Sequence, residues 1–239
     1  MSQKRILVMV RIGEVPAKIE AEWNKWYDAT HIPNRINKPG WISARRFEVV
    51  GGESKGEYKY LSVYDLQAVD ALTSEPYLKL RDWEASLPPD AFETITPKLP
   101  RFARGIYGQI YPERGEYQIP NTEVIFAIAH DVPPGKDDEF NAWYHTEHIP
   151  AMMNNVPGFV TGRRFKLLET PLSPRVWSTG PQPTSPKYVT LWDLESEKVL
   201  QSEEFLKWKD SPWSSWIRSW YSRRFRMIGR RISLHYPKP

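Results

Sequence analysis

Four sequence blocks occur twice in the same order, and this constrains the fold more than any other feature of the 239-residue chain. WNKWYDATHIP at 23–33 is echoed by FNAWYHTEHIP at 140–150, which places His31 and His148 117 positions apart. PGWISARRFE at 39–48 is matched by PGFVTGRRFK at 157–166, at an offset of 118. YLSVYDL at 60–66 corresponds to YVTLWDL at 188–194, and SEPYLK at 74–79 to SEEFLK at 202–207, both at 128. Ordered self-similarity of this kind means one supersecondary unit used twice. The jump of ten between the second and third blocks places a longer loop in the second copy, over 169–186.

Each copy predicts the same elements. The runs 5–12 and 123–129 are β-rich first strands. Helices follow over about 17–31 and 136–148, with Pro33 and Pro150 expected to end them. Second strands are expected over 41–50 and 159–168, and third strands over 58–66 and 187–194. A second helical region covers 67–86 and, broken at Pro212, 195–221. Fourth strands fall near 101–111 and 224–236. The order βαββαβ is a ferredoxin-like unit, whose sheet leaves one apolar face uncovered. Two tandem copies in one α+β chain, covering each other as a dimeric-type barrel, resolve that problem. The expected organisation is a first repeat over 1–112, a polar linker over 113–122 and a second repeat over 123–239.

The blocks WYDATHIP…PGWISARRF and WYHTEHIP…PGFVTGRRF resemble the EthD-like branch of the dimeric α+β barrel superfamily, nearly the whole chain taking part, twice. The resemblance implies a ligand cavity between sheet and helices, with the first-helix histidine reaching into it. It leaves the reaction open, because relatives with this fold include cyclases, isomerases, cofactor-free decarboxylases, monooxygenases and haem-binding enzymes.

Composition narrows the classes. Cysteine is absent, so there is no thiolate nucleophile, disulfide or cysteine-ligated metal. No apolar run is long enough for a membrane span and no secretory signal is visible, which sets a cytoplasmic location as the expectation. The net charge of +4 does not argue for nucleic acid. Arg218, Arg223, Arg224, Arg226, Arg230 and Arg231 cluster near the C-terminus with Trp213, Trp216 and Trp220, and are expected on a solvated or ion-paired strand face. Eleven Trp, twelve Tyr and nine Phe supply walls for a flat ligand.

The candidate catalytic residues are His148 with Tyr144, and His31 with Tyr27. Each pair is spaced i,i+4 and so shares a helix face. The histidine could act as acid or base, or could simply cap the helix, and the tyrosine offers a donor to an oxyanion. His130 ends the second copy's first strand, where the first copy has Gly13, and His145 replaces Asp28, so the second copy is the richer in titratable groups. His130, His145 and His148 do not have metal-ligand spacing, and no metal is expected. In Arg45–Arg46 and Arg163–Arg164, neighbours point to opposite faces. One of each pair is expected to face inward, to hold either a substrate carboxylate or an internal carboxylate partner. Trp26, Trp143 and Trp177 are the expected aromatic wall, Trp177 lying in the longer loop.

These residues point first to a cofactor-independent lyase acting on a small aromatic or polyketide-like acid. Decarboxylation leads, with His delivering a proton to carbon. The competing readings are a dehydratase, isomerase or cyclase, a haem-binding or monooxygenase-type enzyme, and a non-catalytic small-molecule binder. A homodimer is the possible assembly.

Overall fold

The computed structural model of the chain describes residues 4–113, 117–168 and 185–238. The first half runs β1 (Ile6–Ile12), α1 (Ala17–Trp26), α2 (Ile32–Ile36), β2 (Trp41–Gly51), β3 (Tyr60–Leu66), α3 (Glu75–Ser86), α4 (Phe92–Ile95) and β4 (Ala103–Tyr111). The second runs β5 (Val124–Asp131), α5 (Asp137–Trp143), α6 (Ile149–Asn155), β6 (Phe159–Leu167), β7 (Tyr188–Leu194), α7 (Glu203–Trp208), α8 (Pro212–Arg218) and β8 (Ser222–His235). Among the described residues the strands close into an antiparallel barrel in the order β1-β3-β2-β8-β5-β7-β6-β4. The seams between the halves are β2 with β8 and β4 with β6. Closure leaves no sheet edge exposed.

Alternation along β1 shows how the layers form. Leu7 and Met9 point into the lumen, where they join Phe47, Val63, Ile125, Leu191, Phe165 and Met227 from both halves. Ile6, Val8, Val10 and Ile12 point outward beneath Trp23, Tyr27 and Ile36 of the helices. A strand covered on both faces reads as a continuous apolar run, which is what residues 6–10 are. The Pro-Gly turns that lead into β2 and β6 need glycine. Gly40 and Gly158 have φ of +80° and +92°, and an added Cβ would meet Ala71 at 2.7 Å or Val199 at 2.5 Å.

Arg45 and Arg163 also point into the lumen, where they make a buried ionic network. Arg45 Nη1 donates to Asp193 Oδ1 at 2.5 Å. Arg163 bridges Asp193 Oδ2 at 2.7 Å and Asp65 Oδ1 at 3.2 Å. Tyr117, Ser43 and Thr161 donate to the same two carboxylates. Burial raises the Asp193 pKa, but Arg163 and Arg45 outweigh it and hold the group down at about 2. Two of these ion pairs cross from one half to the other. Arg45 and Arg163 are therefore internal partners of Asp193 and Asp65, and a substrate carboxylate is not what they hold.

Two further expectations change. The first helices do not end at Pro33 and Pro150. Each continues through a single π-turn, Tyr27–His31 and Tyr144–His148, into α2 and α6. The Ile32 and Ile149 N–H groups donate to the carbonyls of Tyr27 and Tyr144, five residues back. The widened turn accepts the proline that follows, which lacks an N–H and would crowd an α-helical carbonyl. The second change is in register. Ile12 pairs with Tyr60, and His130 with the equivalent Tyr188, so His130 corresponds to Ile12 rather than Gly13. By the same register, Ala129 is the counterpart of Arg11. A one-residue shift in a strand changes the face, and it turns His130 toward the helices of its half.

Candidate functional site

Each half has a cavity between the outer face of its sheet and its helices. Val8 and Val10 floor the first, Phe126 and Ile128 the second. The π-turns place Tyr27 and His31 on the wall of the first, a cavity of about 50 Å³. They place Tyr144 and His148 on the wall of the second, of about 220 Å³.

In the first cavity the histidine, the tyrosine and the arginine beside them have partners among the described residues, although the Trp41 indole N–H has none. Arg35 is held by both oxygens of Glu84 at 2.6 and 2.9 Å, and also donates to His31 Nδ1 at 3.1 Å. His31 is therefore neutral, its Nδ1 occupied as an acceptor. Burial, then the nearby Arg35, pushes its pKa well down. The Tyr27 hydroxyl accepts from Tyr64 at 3.1 Å. Trp26 packs on His31 at 4.9 Å and donates to Glu93 at 2.9 Å.

The second cavity is less self-contained. Tyr64 is replaced by Trp192, which carries no hydroxyl. His148 is half-buried, stacked on Trp143 at 4.5 Å and 21°, with Trp192 at its edge. Among the described residues its ring nitrogens have no hydrogen-bond partner. Burial, then Arg218 and Arg164, pushes its pKa down to about 3, so the ring is neutral at physiological pH. Tyr144 is raised to about 12 by burial against the pull of Arg164, and stays protonated. His130, 2% exposed, also lines this cavity. Its Nδ1 has no partner among the described residues, and burial and then Arg164 drive its pKa well down.

The remaining predicted residues sit around these walls. Arg46 lies 4.3 Å from the Tyr27 ring and donates to Asp28 and Asn24, each at 2.7 Å. Arg164 lies 4.0 Å from the Tyr144 ring, but its neighbour is His145 Nε2 at 2.8 Å. His145 turns its Nδ1 to Glu113 at 3.0 Å. A neutral imidazole thus donates to Glu113 and accepts from Arg164, leaving His145 occupied away from His148. Burial lowers Arg164 to about 10. Neither Arg46 nor Arg164 lines a cavity, so neither is a direct substrate contact in this arrangement. Trp143 walls the second cavity and donates to Ser214 at 3.2 Å. Trp177 and the loop around it lie outside the described residues. Among those residues, no three His, Asp or Glu side chains could hold a metal ion.

Sequence reasoning missed the cationic side of the second cavity. Lys209, Arg218, Arg223 and Arg226 line it, three of them from the segment expected to be a solvated face. The usable signal was the alternation along β8. Arg226 stands opposite Ile128 as Arg104 stands opposite Val10.

Residues 8–81 match the sequence model of a domain of unknown function, DUF4286. No curated protein matches the chain. Several solved structures share its architecture over almost its full length. An anthrone oxidase-like protein is 11% identical, with 98% of this chain and 93% of that one covered at a TM-score of 0.59. A candidate monooxygenase from Lactobacillus acidophilus is 9% identical, covering 98% and 96% at 0.57. A haem-binding protein from Thermus thermophilus is 11% identical, covering 98% and 92% at 0.53. At such identities the likeness is one of architecture, and it agrees with the strand order: the chain has the dimeric α+β barrel fold.

Proposed function

We propose that the protein is a monooxygenase-type enzyme that oxidises an activated carbon of an aromatic compound with dioxygen, in the second cavity, with His148 as base. The observation that carries this reading is the state of His148: neutral, without a hydrogen-bond partner among the described residues, and held flat against Trp143 at the cavity wall. A neutral imidazole has a ring-nitrogen lone pair that can accept a proton, though at a pKa of about 3 it does so weakly. It is the wrong species to deliver one to carbon, which decarboxylation requires, so oxidation displaces lyase chemistry as the leading reading. The oxidase-like and monooxygenase relatives of the same fold support the same direction.

In the reaction proposed, His148 removes a proton from a ring-flanked CH2 group. The electron pair left on carbon reduces dioxygen. One oxygen atom bonds to that carbon, which becomes a carbonyl, and the other leaves as water with the two hydrogens. Tyr144, protonated, donates to the oxyanion that develops after deprotonation. Trp143 and Trp192 hold the ring.

Haem, bound by one relative of the same fold, does not suit the residues present. Its macrocycle needs a flat slot and an axial nitrogen facing it. The cavity of about 220 Å³ lies below the roughly 300–1,000 Å³ usual for drug-sized ligands, and a porphyrin needs more room than that. These residues do not fit a porphyrin, and the chemistry falls to side chains.

The EthD-like assignment and the tandem-repeat reading, with repeats 1–112 and 123–239 about a linker 113–122, belong to this proposal. Their support is the internal sequence match together with equal strand orders, β4-β1-β3-β2 and β8-β5-β7-β6. The test is an oxygen electrode with protein stripped of metal and haem and a panel of anthrone-like and phenolic compounds. The expected result is oxygen uptake in step with carbonyl product. Release of CO2 without oxygen uptake would return the reading to a lyase.

A further inference from the structure

The two cavities occupy equivalent places, so each serves as a control for the other. In the first, Arg104 donates to the Tyr77 hydroxyl at 3.4 Å, and Arg35 and Arg81 both reach Glu84. In the second, repeat equivalence puts Phe205 in place of Tyr77, Pro212 in place of Glu84 and Met152 in place of Arg35. The acceptors are gone, but the arginine on the last strand is kept. Arg226 lies over the Phe126 ring at 5.0 Å, and among the described residues it has no carboxylate partner. Burial and then Arg223 lower its pKa, with Glu53 and Tyr221 acting in the opposite direction.

Lys209, Arg218 and Arg223 line the same cavity, and no Asp or Glu does. These three have outward partners: Asp210 for Lys209 and Arg218, and Glu53 for Arg223. Among the described residues, Arg226 is the lining cation left without a carboxylate partner. His130, nearly fully buried on the same cavity, adds a ring nitrogen with no partner among those residues. Trp143 and Trp192 line the cavity as well. A planar guanidinium in a cavity lined with aromatic rings matches a planar carboxylate carried on a ring.

We infer that the second cavity binds the carboxylate of an aromatic acid, with Arg226 as the direct anion partner, and that phenylalanine at 205 keeps that guanidinium free. This names the substrate class of the site proposed above and rests on that reading for turnover, not for binding.

Isothermal titration of the whole protein with 1-naphthoate and with neutral 1-naphthamide tests it without oxygen or turnover. Naphthoate should bind at least about tenfold more tightly, the scale of one charge-assisted hydrogen bond. R226Q should bring the two affinities together, and F205Y should do so in part by offering Arg226 an internal acceptor. R104Q should leave the preference intact. Equal affinities in the unaltered protein, including no binding of either ligand, would overturn the inference, and that comparison stands whether or not a variant folds. A preference that survives in folded R226Q and F205Y would overturn it too. Because oxygen uptake is read separately, loss of the oxidation reading and loss of the anion site are distinguishable results.

Discussion

His31 and His148 hold equivalent places on equivalent helices, yet they are different chemical groups. Arg35 occupies the nitrogen of one, and nothing among the described residues occupies the other. The pairing of Tyr with His four residues on was legible in the sequence, because the copies align through it. What separates the two pairs was not, since it comes from residues on other elements: Arg35 with Glu84 in one half, Met152 with Pro212 in the other. With His148 titrating near 3 rather than the ordinary 6.5 or so, kcat/KM should stay flat from pH 8 to about pH 5. A fall centred near pH 6.5 would mean that the base is an unperturbed histidine. Stability carries the same signature with a fixed sign. His31, His130, His145 and His148 all have lowered pKa values when folded. The unfolded chain therefore binds protons from about pH 6.5 downward that the folded chain refuses, and stability is lost as the pH falls. Calorimetry should give a lower Tm at pH 5 than at pH 7.5; an equal or higher Tm at pH 5 would contradict these assignments.

The π-turn is the element that builds the site, and its presence was hidden. Tyr-x-x-x-His followed by Ile-Pro reads as the last turn of an α-helix, and only the continuing helix shows that the proline is accommodated by widening the turn. Strand register was hidden for a related reason. The helix blocks align at 117, whereas the first strands align at 118, so counting from the helix matched His130 to Gly13 instead of Ile12. The break at Pro212 was legible, because proline suits the first turn of a helix and Ser211 precedes it. Ser211 accepts from the Ser214 N–H at 2.9 Å and donates to Glu147 of the π-turn at 2.5 Å. That contact ties α8, which carries Arg218, to the segment that carries His148. S211A should cost about 1 kcal/mol in urea denaturation, the usual worth of a cap. A loss near zero would mean that the cap and the tie contribute nothing.

Across the whole molecule, the duplication visible in the sequence and the closed barrel fit one another, since each half supplies one wall of a shared lumen. The fate of Arg45 and Arg163 could not be read, because Asp193 lies 148 residues from Arg45 and the pair meets only when the barrel closes. Removing one member of such a buried network leaves charge uncompensated. D193N should cost about 3–5 kcal/mol of unfolding free energy, and a cost below about 1 kcal/mol would show that the ionic network adds little to what the strand seams and apolar packing supply. On the function proposed above, the asymmetry between the cavities makes the second the working site and the first scaffold. The measurement that tests this most directly is oxygen uptake by H148A and H31A side by side, with both variants checked for native circular dichroism. The account predicts that H148A loses about 10²-fold or more in kcat/KM, the scale of a missing general base, while H31A stays within a few-fold of the unaltered protein. Equal rates in H148A and the unaltered protein, or a loss confined to H31A, would contradict it.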